Sequence, residues 1–118
     1  MKTTPADGPV RTAGAPTLSP AAIFGLLTND DRRYALHYLS MTVGELPVAE
    51  IADRIAYWNG ESTTEGRRRA LTALHHLHLP KLVDEGAVDY DVERQTVVLV
   101  AGADLVPHLR LVAAADFD

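Results

Sequence analysis

The chain has 118 residues and a mass of 12.8 kDa, a size that argues for one small domain. It is 47% hydrophobic and 23% charged, so most of it has the composition of a folding globular chain. Sixteen acidic residues against eleven basic ones leave a net charge of −5, which weighs against nucleic-acid binding as a bulk property and confines it to a local basic patch. With no cysteine, thiol catalysis, disulfides and thiolate metal sites are excluded. No uninterrupted apolar run, Val97–Ala101 included, nears the ~20 residues of a membrane span. Met1–Pro5 holds no apolar core of the secretory kind, so the expected location is cytoplasmic, with no membrane partner. Arg outnumbers Lys nine to two, and Asp outnumbers Glu ten to six. Such a Lys-poor, Asp-rich chain suits hydration in concentrated salt; the base composition of a GC-rich genome produces the same bias equally well.

Residues 1–19 carry Pro5, Gly8, Pro9, Gly14 and Pro16 with few bulky apolar side chains, and read as a disordered N-terminal tail. The domain is expected over 20–114, followed by a short tail at 115–118. Ser19 and Pro20 open a short apolar helix carrying Ile23, Phe24, Leu26 and Leu27. Thr28, with Asp31 three residues on, is expected to cap a second helix running to about Met41. Val48, Ile51, Ala52 and Ile55 recur at helical spacing and Gly60 ends their helix, but Leu46 and Pro47 stand where a capping side chain is expected. Ser62-Thr63-Thr64-Glu65 reads as a capping box for a long helix. Its apolar face takes Leu71, Leu74 and Leu77, Pro80 kinks or divides it, and Gly86 ends it. Two β-rich runs, Ala87–Tyr90 and Thr96–Val100, flank a polar turn at Asp91–Gln95. A last helix carries Leu105, Leu109 and Val112, its start left open by Pro107. The fold class is mainly α with a small β-hairpin. Helices followed by a hairpin give the winged helix-turn-helix layout, with residues 88–100 as the wing.

The segment from His78 to Val88, with its His-Leu, Leu82 and Gly86-Ala87-Val88, resembles the end of the DNA-reading helix and the wing entry of ArsR-type repressors. The chain is also similar to a group of small haloarchaeal winged-helix proteins without an assigned role. That similarity lies at Leu27–Tyr34, at Ile51–Asp53 through Trp58, at Leu74-His75, at His78–Leu82 and at Val88–Asp91, within roughly residues 20–110. The resemblance implies a winged-helix fold and a transcriptional role, and supplies neither effector nor operator. It also maps Thr72, His75 and His76 to positions that read the groove in related repressors.

Arg67-Arg68-Arg69 near the start of the long helix is the best functional signal. Guanidinium groups pair with phosphate oxygens or fork onto guanine edges. From Thr63 to Leu82 there are four basic residues and one acidic residue, Glu65. Three consecutive residues spread over about 200° of a helix, and ion pairing with Glu61 or Glu65 is the alternative reading. Thr72, His75 and His76 share one helical side, with surface or partly buried packing as the alternative. His75 and His78 stand at i and i+3, a workable metal-ligand spacing, yet no carboxylate cluster adjoins them; neither a metal nor another cofactor is expected. Arg94 at the hairpin tip is placed to meet a phosphate, while Asp89, Asp91 and Glu93 beside it repel one. Arg32 and Arg33 have contact with the DNA backbone or pairing with Asp30 and Asp31 as alternatives. Trp58 and Tyr57 read as core packing and a helix stop. No catalytic motif emerges, so an enzyme is not expected. The expected protein is a DNA-binding regulator of double-stranded DNA. Its DNA-binding residues are Arg67, Arg68, Arg69, Thr72, His75, His76 and Arg94, and it is a homodimer through helices 20–27 and 103–114. The alternative is a winged-helix module that binds protein instead.

Overall fold

The computed structural model describes residues 18–117, and the tail expected at 1–19 lies outside them except for Leu18 and Ser19. The chain runs α1 (Pro20–Leu27), α2 (Asp30–Ser40), β1 (Leu46–Pro47), α3 (Val48–Trp58) and α4 (Thr64–Ala73). A π-helical turn (Leu74–His78) leads into α5 (Leu79–Asp84), then β2 (Val88–Asp91), β3 (Thr96–Leu99) and α6 (Gly102–Phe117). The fold is mainly helical, with one small antiparallel sheet in the order β1-β3-β2. Among the described residues no helix is long and apolar enough to cross a membrane.

Local chemistry sets the helix ends. Ser19 accepts from the Ala22 N–H and Pro20 begins α1, as the sequence implies. The next two caps differ from expectation by one residue. Asn29, not Thr28, caps α2 by accepting from Arg32 N–H at 3.1 Å, while the Thr28 hydroxyl donates back to Gly25 O. Thr63, not Ser62, caps α4 by accepting from Gly66 N–H at 2.9 Å. Glu65 thereby stands one place too early for a capping box, and its carboxylate is left for other partners. Gly60 (φ 74°) and Gly86 (φ 77°) take the left-handed conformation that lets the chain leave α3 and α5.

Strand β1 is the element the sequence hides. It has two residues, and Pro47, without an N–H, suits an edge position. Leu46 lies opposite Val97 and Pro47 opposite Thr96. The missing cap of α3 is explained here: no side chain caps it, and the Val48 N–H donates instead to Gln95 O at 2.9 Å. The hairpin therefore holds the start of α3. In β2 and β3, Val88 faces Leu99 and Tyr90 faces Val97, so Val88 and Val97 join the core while Asp89 and Asp91 stay exposed.

Pro80 does not break the long helix. The Leu79 N–H reaches five residues back to Leu74 O, and α-helical register restarts with Pro80 in its first turn, where no N–H is required. The extra residue in that turn rotates the buried face. Leu74, His78, Leu79 and Leu82 are buried, whereas Leu77, expected on that face, is 54% exposed. α6 starts at Gly102 and contains Pro107, and its Leu105 and Leu109 close the core one turn apart. One apolar cluster unites Leu26, Leu36, Ile51, Ile55, Leu74, Leu82, Val97 and Leu105. The Leu18 N–H donates to Asp104 at 2.9 Å, fastening the entry of α1 to α6.

Candidate nucleic-acid interface

α3 and α4 pack as a helix pair joined by residues 59–63, and the close approach of the first turn of α4 to that connection depends on Gly66. A Cβ there meets the Glu61 carbonyl oxygen at 2.0 Å. That carbonyl is fixed in turn, because Glu61 N–H donates to Ala56 O (2.8 Å) and Glu61 O accepts from Thr63 N–H (2.7 Å). Gly66, Ala70 and Leu74 form the inner line of the helix. At about 100° per residue, Arg68 and Thr72 lie opposite it and point outward. Both are exposed.

The three arginines fan around this outward line, as a helix requires. Arg67 leans toward α3, with Nε 3.8 Å from Asp53 Oδ1. Arg68 pairs with Glu65 on its own helix. Arg69 turns to the other flank, 3.3 Å from Glu61 and 4.0 Å from Glu65. All three side chains are solvent-accessible, so they occupy one surface but not one direction. Pairing with Glu61 and Glu65 was legible in the sequence. Asp53 arrives from another helix and had no local signal.

Thr72 and His76 line an open cleft of about 600 Å³ together with Glu61, Glu65, Arg68 and Arg69. His75 parts from them. Its Nε2 lies 2.9 Å from Gln95 Oε1, which ties the helix to the hairpin tip. Gln95 is the one non-glycine with positive φ (55°) among the described residues, and its side-chain amide donates to Val92 O at 2.7 Å. Arg94 is exposed and pairs with Glu45 at 3.0 Å. Glu45, Asp89, Asp91 and Glu93 surround an acidic hollow on the hairpin.

His78 is only 2% exposed, and its Nδ1 has no hydrogen-bond partner. Its Nε2 is 3.9 Å from Asp31 Oδ2, beyond hydrogen-bonding reach. Burial pushes its pKa down from 6.5; Asp31 opposes this shift and Arg32 adds to it. The three histidines thus face the hairpin, the cleft and the core separately. Among the described residues no group of three or more His, Asp or Glu side chains is placed to hold a metal ion.

Arg32 and Arg33 have a role that sequence reasoning missed. Their guanidiniums donate to the last carbonyls of α1: Arg32 to Leu26 O and Gly25 O, Arg33 to Leu27 O. Arg33 also pairs with Asp30 at 2.7 Å, as expected. Trp58 packs against Tyr34, His37 and Tyr38, with Arg54 over the Tyr38, Tyr57 and Trp58 rings. Tyr57 stays largely exposed.

Residues 24–98 match a family described as a domain of unknown function (DUF7344). The chain belongs to that family. The matched span runs from within α1 to within β3, so the α3–α4 pair, the hairpin turn and every residue of the candidate interface lie inside it. No curated protein and no solved structure matches the chain.

Proposed function

We propose that the chain is a DNA-binding regulator of winged-helix type, with α4 entering the major groove and the β2–β3 hairpin as the wing. The element order α2, β1, α3, α4, β2, β3 supports this reading. The observation that carries it is on α4. Arg68 and Thr72 face outward, Arg67 and Arg69 flank them toward the two groove walls, and His75 holds the hairpin beside the same helix. Arg68 forks onto a base edge, while Arg67, Arg69 and Arg94 meet phosphates. The carboxylates beside these arginines do not forbid such contacts, because an exposed ion pair contributes only ~0–1 kcal/mol and exchanges readily.

The regulator works as a homodimer. Phe24 on α1 and Leu111 on α6 are 66% and 78% exposed, and a second copy covers them across a two-fold axis. Light scattering tests this: a monomeric mass at micromolar concentration refutes it. For DNA, selection from a random duplex library is followed by anisotropy titration at fixed salt. Arg68→Ala with Arg69→Ala weakens binding to the selected duplex; unchanged affinity refutes the assignment.

One observation favours a second reading, a protein-binding winged-helix module. Each of the four arginines of the face has a carboxylate within 4.0 Å, and the hairpin carries an acidic hollow, so positive charge on this face is largely paired. Failure of the library to enrich any duplex supports that reading over the first.

A further inference from the structure

We propose that Glu65 is the specificity-setting residue of the α4 face: it opposes the phosphate backbone and, paired with Arg68, reads a G·C base pair. The inference rests on the DNA-binding reading above.

Three features of Glu65 carry it. First, it is shared: one carboxylate oxygen pairs with Arg68 and the other lies 4.0 Å from Arg69. Second, it sits in the first turn of α4, where the helix dipole and free N–H groups otherwise attract a phosphate. Its negative charge already occupies that end. Third, it lines the same cleft as Arg68, Arg69 and Thr72, so a duplex that reaches those side chains also meets the carboxylate.

The consequences for a phosphate and for a base edge differ in sign. A phosphate that takes Arg68 or Arg69 must displace Glu65 and then lies beside its freed charge. The gain in one contact is reduced by the loss of an exposed ion pair, ~0–1 kcal/mol, and by repulsion. A base pair in the major groove asks for no such exchange. Guanine presents two acceptors to the Arg68 fork, and cytosine presents an amino donor to a carboxylate. Arg68 and Glu65, one turn apart on the helix, supply both halves together with their own pairing kept. Asp53 beside Arg67 and Glu61 beside Arg69 act in the same direction on the flanking phosphate contacts. The face therefore discriminates against duplex of arbitrary sequence.

The test compares wild type with Glu65→Gln and with Asp84→Asn. Asp84 is exposed on α5, roughly 28 Å from Glu65 along the helix, and its replacement changes net charge equally. That separation exceeds the ~10 Å screening length at about 0.1 M salt, so Asp84→Asn controls for net charge alone. Anisotropy with a fluorescent duplex of random sequence reads the backbone effect. Library selection on the same variants reads the base effect. Glu65→Gln is expected to bind random duplex about fivefold tighter, the upper range for release of one exposed ion pair. It also loses the preference at one G·C position of the wild-type site, while Asp84→Asn changes neither. Weaker binding by Glu65→Gln, an equal effect of Asp84→Asn, or an unaltered selected site overturns the proposal. Wild type that enriches no duplex at all overturns the DNA-binding reading beneath it, which separates the two failures. Circular dichroism confirms folding of each variant.

Discussion

Gly66→Ala is the most demanding perturbation of the α3–α4 pair. By helix propensity alone the substitution stabilises α4 by up to ~1 kcal/mol. The tertiary contact argues the opposite. A Cβ at residue 66 falls 2.0 Å from Glu61 O and 2.9 Å from Glu61 C, both backbone atoms. A carbon–oxygen contact of about 3.3 Å then demands a displacement of ~1.3 Å. Glu61 cannot yield freely, since its N–H and its C=O are both committed within the turn. Forced overpacking against fixed backbone costs ~3 kcal/mol, which leaves a net loss of ~2 kcal/mol. With an unfolding entropy of ~0.2 kcal/mol/K for roughly 100 ordered residues, Tm falls by ~10 °C. Thermal and urea unfolding followed by circular dichroism measure it. A variant that melts at or above wild type refutes the close approach of α4 to the Glu61 turn. On the DNA-binding reading proposed above, the same displacement shifts Arg68 and Thr72, and the expected DNA affinity falls even where the variant is fully folded.

The observed cap of α4 separates two neighbouring residues: Thr63→Ala lowers stability by ~1 kcal/mol, whereas Ser62→Ala leaves it within a few tenths, as urea midpoints compare. His78 makes stability depend on pH. Its folded pKa lies below the unfolded 6.5, so the unfolded chain takes the proton first as pH falls. The contribution of neutral His78 is whole above pH 6.5 and is lost as pH drops from there through the folded value. In His78→Leu this part of the pH dependence disappears, which Tm measured between about pH 7.5 and pH 5 tests. A slope equal to that of wild type contradicts the burial argument.

Much of the fold was legible because its signals are local. Helical spacing at Val48, Ile51, Ala52 and Ile55 reports one buried face, and all four are buried. Gly60 and Gly86 end their helices because a left-handed residue is needed there. The capping boxes were misplaced by one residue since Thr28-Asn29 and Ser62-Thr63 each offer two adjacent capping side chains. Which of them caps depends on where the helix packs. The site was legible only as a set of residue types. Arg67, Arg68 and Arg69 are plain in the sequence, and their pairing with Glu65 follows from i,i+3 and i,i+4 spacing.

Composition and periodicity determined the helices, the hairpin and the presence of a basic run in an acidic chain, because each depends on residues within a few positions of one another. Only the packed structure decided that Leu46–Pro47 is a strand, since its pairing partners lie about fifty residues away in sequence. Only it decided that His78 rather than Leu77 enters the core, because one extra residue in the π turn rotates all that follows. Likewise Asp53 and Glu45 find Arg67 and Arg94 across elements, so the charge balance of the α4 face is a property of tertiary contact.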